Sequence, residues 1–452
     1  MGGIQVDALA KAITGPVLTP ADAGYETARH VHNGLIDRRP AVIARCLGAA
    51  DVAAAIRFAR EHALAIAVRG GGHNVGGRGT VDGGLVIDLS ALRYVDVDVA
   101  QRTARAGGGT TWGHFNRETQ LHGLATTGGV VSSTGVGGLT LGGGFGWLMP
   151  KYGMSIDNLL SADLVLADGR PVRTSATEEP DLFWAIRGGG GNFGVATSLE
   201  FQLHEVGPVI TGGLVAWPAA HARDVLRFFR DYTATLPDEV MAAAALLTGP
   251  DGVTKLCGIA AAHCGSPSDG EAAVAPLKKF GTPVMDAMGP IPYTALNGML
   301  DEAFPRGARN YWKSHFFDAL TDEMIDVAIE RFQACPTPMG QLMFEHFHGA
   351  GPRVPAGHTA YAMRGEGYNA LVLGEWLDPA GDEACRSWAR QTYDALRPYG
   401  GNQRYINYLG DDESPDEALA SVYGPNLTRL RSIKRRFDPE NVFRHNVNIP
   451  PA

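Results

Sequence analysis

Apolar and polar positions follow a helical spacing in some parts of this chain and a strand-like pattern in others. Residues 51–62 carry apolar side chains at helical spacing, and the apolar run at 63–68 predicts a buried strand. A second strand is predicted at 85–89, after a loop rich in glycine. Further strands are predicted at 94–99, 103–106 and 162–166, and the segment 200–206 closes this region.

The pattern changes at about residue 207, where glycine becomes less frequent. Amphipathic helices are predicted at 219–236, 321–334 and 382–396, with strands at 341–347 and 370–376. The apolar faces of these helices are typical of a packed core. A second domain is therefore predicted, and the turn-rich end of the chain is expected to pack back on the first domain.

The loop after the first predicted strand is rich in glycine and contains one histidine, His73, within residues 69–77. Glycine lets backbone N–H groups approach a ligand that a Cβ would push away, and such a nest of amides suits a diphosphate. The alternative is a glycine-rich turn with a hydrogen-bonded histidine. No helix pattern starts directly after the glycines, so the loop is not a Rossmann fingerprint and NAD binding has little support.

Composition narrows the functional classes. The 452 residues suffice for two or three domains, and the net charge of -9 leaves no basic surface for nucleic acid. The five cysteines form no CxxC pair and are odd in number, which favours a reducing cytoplasm over a zinc site or a disulfide framework. No apolar run of about 18 residues and no export signal is found, so no membrane span is expected.

Four motifs occur in a specific order: residues 69–77, 134–146 and 187–194, then 405–408 together with 446–451. Together they resemble the berberine-bridge-enzyme-like flavoproteins of the vanillyl-alcohol oxidase and p-cresol methylhydroxylase superfamily. The resemblance covers nearly the whole chain and is nearest to the bacterial branch that includes the 6-hydroxy-D-nicotine oxidases.

That resemblance implies an α+β fold. It consists of a two-part FAD-binding domain of p-cresol methylhydroxylase type and a substrate domain whose antiparallel sheet is covered by helices. We accordingly assign residues 1–206 to the first part of the FAD-binding domain and 207–405 to the substrate domain. Residues 406–452 form a C-terminal segment that returns to the FAD-binding domain.

The same resemblance implies FAD as cofactor, attached through His73 to the C8 methyl of the flavin ring. Many relatives have a second link through a cysteine, but that position is Val131 here, and valine cannot form a thioether. We therefore expect attachment through His73 only. The expected cofactor-binding residues are Arg69, Gly70, Gly71, Gly72, His73, Asn74, Gly76, Thr134, Gly135, Gly138, Gly142, Gly143, Gly144, Gly146, Gly194, Val195, Asn446 and Asn448.

For catalysis the resemblance points to two tyrosines: Tyr405 as base or substrate anchor, and Tyr152 as its partner. A phenol has an ordinary pKa near 10, so a tyrosine base needs cations or hydrogen bonds that lower its pKa. The chain departs from the family pattern at Asn369 and Leu371, and at Leu409-Gly410 where relatives have Arg-Asp. A base network like that of the plant relatives is therefore not expected.

The segment 345–348, Glu-His-Phe-His, lies on a predicted strand that roofs the substrate pocket. Alternation along a strand turns either Glu345 and Phe347 or His346 and His348 inward. No further ligand cluster accompanies these side chains, so no metal site is expected.

The predicted function is that of an FAD-dependent oxidase. It would transfer a hydride from an alcohol or amine carbon of a small or natural-product substrate to flavin N5, and dioxygen would be reduced to hydrogen peroxide. The alternatives are a sugar or oligosaccharide oxidase and a flavin dehydrogenase that does not use dioxygen. The expected partners are the small-molecule substrate and dioxygen, with no nucleic acid and no membrane.

Overall fold

The structure is a computed structural model that describes residues 6–452. Its strands, in chain order, are β1 Val17–Leu18, β2 Val42–Arg45, β3 Ile66–Arg69, β4 Leu85–Asp88, β5 Val95–Asp98, β6 Thr103–Gly107, β7 Leu124–Ala125, β8 Leu159–Val165, β9 Pro171–Ser175, β10 Val195–Gln202, β11 His204–Glu205, β12 Val209–Pro218, β13 Val240–Thr248, β14 Lys255–His263, β15 Met285–Asp286, β16 Gly289–Pro292, β17 Arg309–Phe317, β18 Gln341–Phe347 and β19 Gly367–Trp376.

The α-helices, again in chain order, are α1 Asp7–Ala12, α2 Tyr25–Arg29, α3 Ala49–Glu61, α4 Trp112–Gln120, α5 Val136–Leu141, α6 Met149–Tyr152, α7 Pro180–Ile186, α8 Ala222–Thr233, α9 Pro267–Lys279, α10 Tyr293–Asn297, α11 Asp322–Gln333, α12 Ala350–Arg353, α13 Asp382–Leu396, α14 Pro415–Tyr423 and α15 Leu427–Phe437. Helices and sheets are thus mixed, and the predicted α+β class is confirmed.

The first region of the chain builds two sheets. In the smaller sheet the order is β1-β2-β4-β3, with β2, β4 and β3 parallel. The second sheet is antiparallel, in the order β5-β6-β10-β8-β9. Strand β4 is buried at every position, as expected for a strand covered on both faces. The glycine loop between β3 and β4 therefore starts and ends on fixed strands.

Residues 209–376 form an eight-stranded antiparallel sheet in the order β15-β12-β14-β13-β18-β19-β17, with β16 also paired to β12. Helices α8, α9, α11 and α13 cover one face of this sheet, because their apolar stripes pack on it. The opposite face turns toward the glycine loops. Side chains on that face of β17, β18 and β19 therefore define one wall of the site.

Several sequence predictions match these elements closely, including the strand at 341–347 and the helix at 382–396. The strand predicted at 63–68 begins only at Ile66, because Ala63 has a φ of +52° and its N–H donates to Arg60 O in a helix-ending turn. The segment 200–206, which closes the glycine-rich region, contains the end of β10 at Gln202 and the short strand β11. The short strand β11 then pairs with β7 instead of continuing β10.

The C-terminal residues pack against the first region through Asn192. Its side chain donates to Val447 O at 3.0 Å and accepts from Ile449 N–H at 2.9 Å. Lys434 Nζ donates to the backbone oxygen of Asn192 at 2.7 Å. These contacts bring Asn446 and Val447 to the glycine loops. Within residues 6–452 no helix combines the length and apolar character needed to cross a membrane.

Candidate active site

A cavity of about 320 Å³ lies between the glycine loops, the open face of the large sheet and the C-terminal residues. The glycine loops contribute residues from 70–79 and 129–142, and the sheet contributes apolar side chains. From the C-terminal part come Tyr405, Tyr408 and Asn446. Three segments that are distant in sequence therefore meet at one site.

The two glycine loops touch each other through backbone atoms at Gly71 and Gly135. A Cβ on Gly71 would lie 2.3 Å from Gly135 N, and one on Gly135 would lie 2.4 Å from Gly71 N. Any larger residue would force the loops apart. By contrast, a Cβ at Gly138 or Gly191 would meet no atom within 4 Å, so these glycines keep cavity space open.

His73 lies on the cavity wall, and two neighbouring side chains contact its ring. Its Nε2 is 2.7 Å from Ser133 Oγ, and its ring stacks on His32 with centroids 3.8 Å apart. Burial first, then His32 and Arg306, lower the pKa of His73 to about 3. The imidazole is therefore neutral at physiological pH and has a free lone pair, which a nucleophile requires.

Most of the expected cofactor-binding residues come together on this wall. They are Gly70, Gly71, Gly72, His73, Asn74, Thr134, Gly135, Gly138, Gly142, Gly194 and Asn446. The wall also includes Gly190 and Gly191 from the third glycine motif, together with Arg78, His32 and His445, which the motifs did not single out.

Seven expected cofactor residues lie off the wall: Arg69, Gly76, Gly143, Gly144, Gly146, Val195 and Asn448. The Arg69 guanidinium instead donates from Nε to Asp88 Oδ1 at 3.2 Å and bonds the second carboxylate oxygen, which ties β3 to β4. Val195 is 1% exposed and belongs to the core under β10. A Cβ on Gly76 would lie 3.0 Å from the Gly410 backbone, so Gly76 allows a chain contact.

Glu345 is the only carboxylate among the residues within 6–452 that line the cavity. Asn369 Nδ2 donates to its Oε2 at 2.7 Å, and the Tyr408 hydroxyl donates to its Oε1 at 3.0 Å. Burial raises the pKa of Glu345 to about 7, although both hydrogen bonds act to lower it. A carboxyl with this pKa can exchange a proton near neutral pH.

Of the two alternating sets of side chains on β18, Glu345 and Phe347 face the cavity side. Glu345 lines the cavity, and Phe347 packs edge-on against Phe145, whose ring also lines it. His346 and His348 stack on each other, with centroids 4.5 Å apart, on the other side of the strand. In residues 6–452 no three His, Cys, Asp or Glu side chains gather in a way that could hold a metal ion.

Tyr405 lies in the cavity wall, but its hydroxyl already accepts two hydrogen bonds. They come from Gly144 N–H at 3.0 Å and Asn407 Nδ2 at 2.7 Å. Burial raises the pKa of Tyr405 far above its ordinary value, and these bonds only partly offset the rise. The phenol therefore stays protonated, which suits an anchor that donates a hydrogen bond better than a base.

Tyr152 does not join this site. Its ring stacks on His204, with centroids 4.0 Å apart, and it is not among the cavity-lining residues. Burial raises the pKa of Tyr152 as well. The sequence motif placed Tyr152 beside Tyr405, but α6 carries its side chain toward β11 instead.

Sequence motifs do not identify the cluster of Glu345, Asn369 and Tyr408. The strand pattern leaves open whether Glu345 faces the pocket, and Asn369 is recognised only as a departure from the family pattern. The sequence does contain one indication: Glu345 lies in an apolar strand, and a buried acid there needs hydrogen-bond donors.

The wall has the chemistry that FAD requires. Glycine backbones approach the cavity without Cβ atoms in the way, and the amide oxygen of Asn446 is buried without a hydrogen-bond partner in the described residues. Donor groups of this kind suit phosphates, and a free acceptor suits a ligand N–H. The residues that line the cavity therefore fit a flavin dinucleotide.

Comparison with known proteins agrees with this reading of the cavity. Residues 40–175 match the family model of an FAD binding domain, and residues 404–450 match the model called berberine and berberine like. The first match contains β2 to β9 and both long glycine loops. The second contains Tyr405, Tyr408 and the C-terminal asparagines.

Individual relatives are similar over nearly their full length. The chain is 34% identical to (R)-6-hydroxynicotine oxidase of Paenarthrobacter nicotinovorans, covering 97% of both sequences. A solved structure of 6-hydroxy-D-nicotine oxidase from Arthrobacter nicotinovorans has a TM-score of 0.87 at 31% identity, covering 97% of this chain and 98% of that one. A glucooligosaccharide oxidase structure from Acremonium strictum has a TM-score of 0.88 at 24% identity, covering 98% of each chain, and shares the fold.

Proposed function

The chain belongs to the berberine-bridge-enzyme-like FAD-linked oxidoreductases, and on that basis we propose that it oxidises an alcohol or amine carbon of a small, largely apolar substrate, with dioxygen as the final acceptor. It is an FAD-dependent oxidoreductase with an FAD-binding region of p-cresol methylhydroxylase type.

One observation carries the proposal: the only carboxylate on the described cavity wall, Glu345, has a pKa of about 7. When bound, FAD supplies the acceptor for the hydride, with its two electrons, that leaves the substrate carbon. The carboxylate of Glu345 takes the proton from the substrate hydroxyl or ammonium group. Tyr408 and Asn369 each donate to one of its oxygens and keep the carboxylate in place between turnovers.

The remaining wall around Glu345 favours an aromatic or heterocyclic substrate. The side chains there are apolar or aromatic: Leu300, Phe304, Trp312, Met343, Leu371 and Leu373. Flat rings pack against such walls, whereas a sugar needs several donors and acceptors for its hydroxyl groups. A sugar or oligosaccharide remains the alternative, because glucooligosaccharide oxidase has the same fold.

We further propose His73 as the single point of covalent attachment for FAD. The neutral imidazole on the wall supports this role. Val131 lines the same cavity, and no cysteine is among the lining residues in 6–452. A cytoplasmic location, based on the cysteine pattern alone, is part of the same proposal.

The test is an anaerobic substrate screen on the purified protein. Aromatic alcohols, cyclic amines and oligosaccharides are mixed with the enzyme, and loss of the oxidised flavin absorbance is followed before air is admitted. Rapid return of the absorbance with release of hydrogen peroxide is expected for an aromatic alcohol or amine. Reduction only by oligosaccharides would replace the substrate proposal, and slow return in air would identify a dehydrogenase.

A further inference from the structure

The ring of His73 is held from two directions by residues to which no role has been assigned so far. His32 stacks on its face at an interplanar angle of 23°, and Ser133 Oγ contacts Nε2 at 2.7 Å. We propose that His32 and Ser133 are positioning residues that present Nδ1 of His73 for covalent attachment of the flavin. This inference rests on the proposed attachment through His73.

Ser133 contacts one of the two ring nitrogens of His73 more closely than Thr134 contacts the other. Its contact with Nε2 is short, whereas the Nδ1 contact with Thr134 Oγ1 is 3.5 Å, at the limit of a hydrogen bond. A neutral imidazole has one N–H and one lone pair, and a serine hydroxyl can accept from the first or donate to the second. In the proposed arrangement Nε2–H donates to Ser133 Oγ, which leaves the lone pair on Nδ1.

His32 fixes the plane of the ring. It is buried, with 8% of its surface exposed, and its backbone N–H donates to Gly72 O at 3.0 Å, next to His73. Its carbonyl oxygen accepts from Gly307 N–H at 2.9 Å, which ties it to the substrate side of the site. Because His32 is anchored on both sides, rotation of the His73 ring would break the stack.

Covalent attachment is a two-electron oxidation, and dioxygen is the oxidant. A bond forms between Nδ1 of His73 and the 8α carbon, while one C–H of that methyl group and the Nε2–H of the imidazole are lost. The two electrons and two protons end on dioxygen, which becomes hydrogen peroxide. Ser133 Oγ accepts the Nε2–H hydrogen bond and so lies on the route by which that proton leaves.

The experiment follows covalent incorporation during incubation of freshly purified protein with added FAD in air. Flavin that stays with acid-precipitated protein is measured against total bound FAD in wild type, Ser133→Ala, Ser133→Thr, His32→Ala and His32→Phe. We expect covalent attachment to be roughly tenfold slower in both alanine variants, because a tenfold change in rate corresponds to the free energy of about one lost contact. Ser133→Thr restores the hydroxyl and His32→Phe restores the stack, so both should attach FAD at rates near wild type.

Total bound FAD and the melting temperature separate positioning from folding. Equal attachment rates in wild type and both alanine variants, at equal FAD occupancy, would overturn the positioning roles while leaving the His73 attachment intact. Attachment at Nε2, read from the isolated flavin peptide by NMR, would also overturn them. Wild-type protein that releases all its flavin in acid would overturn the attachment itself.

Discussion

Tyr408 donates a hydrogen bond from its hydroxyl to Oε1 of Glu345 at 3.0 Å, which joins the C-terminal motif to strand β18 of the large sheet. The donor stabilises the ionised carboxyl and therefore lowers its pKa, against the larger effect of burial. Glu345 consequently titrates near neutral pH instead of remaining protonated. This pair sets the pH range over which the site can accept a proton.

Removing this donor should shift the pH dependence of turnover. Activity requires ionised Glu345, so kcat/KM is expected to rise with pH through about 7 in wild type. Tyr408→Phe raises the pKa of the carboxyl, and the rise should move to higher pH by roughly one unit, the size of one hydrogen bond to a charged group. The measurement is kcat/KM against pH, with Tyr368→Phe on the helix-covered side of the sheet as control. An unchanged profile would remove Tyr408 from the proton-accepting cluster.

Replacing the carboxyl itself should slow the reaction without loss of the cofactor. Glu345→Gln keeps the size of the side chain and one of its two accepted hydrogen bonds, but it cannot accept a proton, so kcat should fall by roughly 100-fold or more. Flavin absorbance per chain should stay at the wild-type level. Glu375→Gln is the matched control, because Glu375 is also fully buried with a pKa raised to about 8 but does not line the cavity. Equal effects of the two substitutions would indicate a general cost of altering buried acids.

The two tyrosines proposed from motifs should differ in importance. Tyr405→Phe removes a hydroxyl on the cavity wall and is expected to raise KM or lower kcat by about tenfold, as for one lost hydrogen bond. Tyr152→Phe should stay within about threefold of wild type, because its ring lies against His204 outside the cavity. The measurement is kcat and KM of wild type and both variants with the same substrate. A large loss in Tyr152→Phe would restore Tyr152 to the catalytic group.

A thiol at position 131 should offer the flavin a second attachment point. Val131 lines the same cavity as His73, at the position where relatives have the linking cysteine. We expect His73→Ala to release its flavin in acid and the double variant His73→Ala/Val131→Cys to retain at least part of it. Fluorescence of the protein band on a denaturing gel gives the result. Retained flavin in His73→Ala alone would show that another residue forms the bond.

The buried ion pair between Lys434 and Asp438 should hold the C-terminal segment in place. Neither side chain is exposed, and Nζ lies 2.6 Å from Oδ2. Asp438→Asn leaves the lysine charge buried without its partner, so the free energy of unfolding should fall by about 3–5 kcal/mol. Urea denaturation measures this, with exposed Glu440→Gln as control. A loss below about 1 kcal/mol would mean that the backbone oxygens bound to Lys434 Nζ suffice.

Local features of this chain could be predicted from the sequence, because they depend on neighbouring residues. Apolar spacing places a helix at 382–396 and a strand at 341–347, and the structure has both. The glycine loop with His73 predicts a cofactor wall, because only glycine allows such close backbone approach. The expectation of a single attachment point depends on the family resemblance as well as on Val131, and it stays a prediction.

The assembly of the site required the tertiary structure. Strand alternation has a period of two, so it defines two faces but not which face is covered, and only the packed sheet places Glu345 in the cavity. Its donor Tyr408 is 63 residues away in sequence, and no local pattern encodes that contact. Tyr152 illustrates the opposite case, since a motif places it near Tyr405 and packing turns it toward His204. The sequence thus determined the elements and the reactive side chains, and long-range packing decided which of them meet.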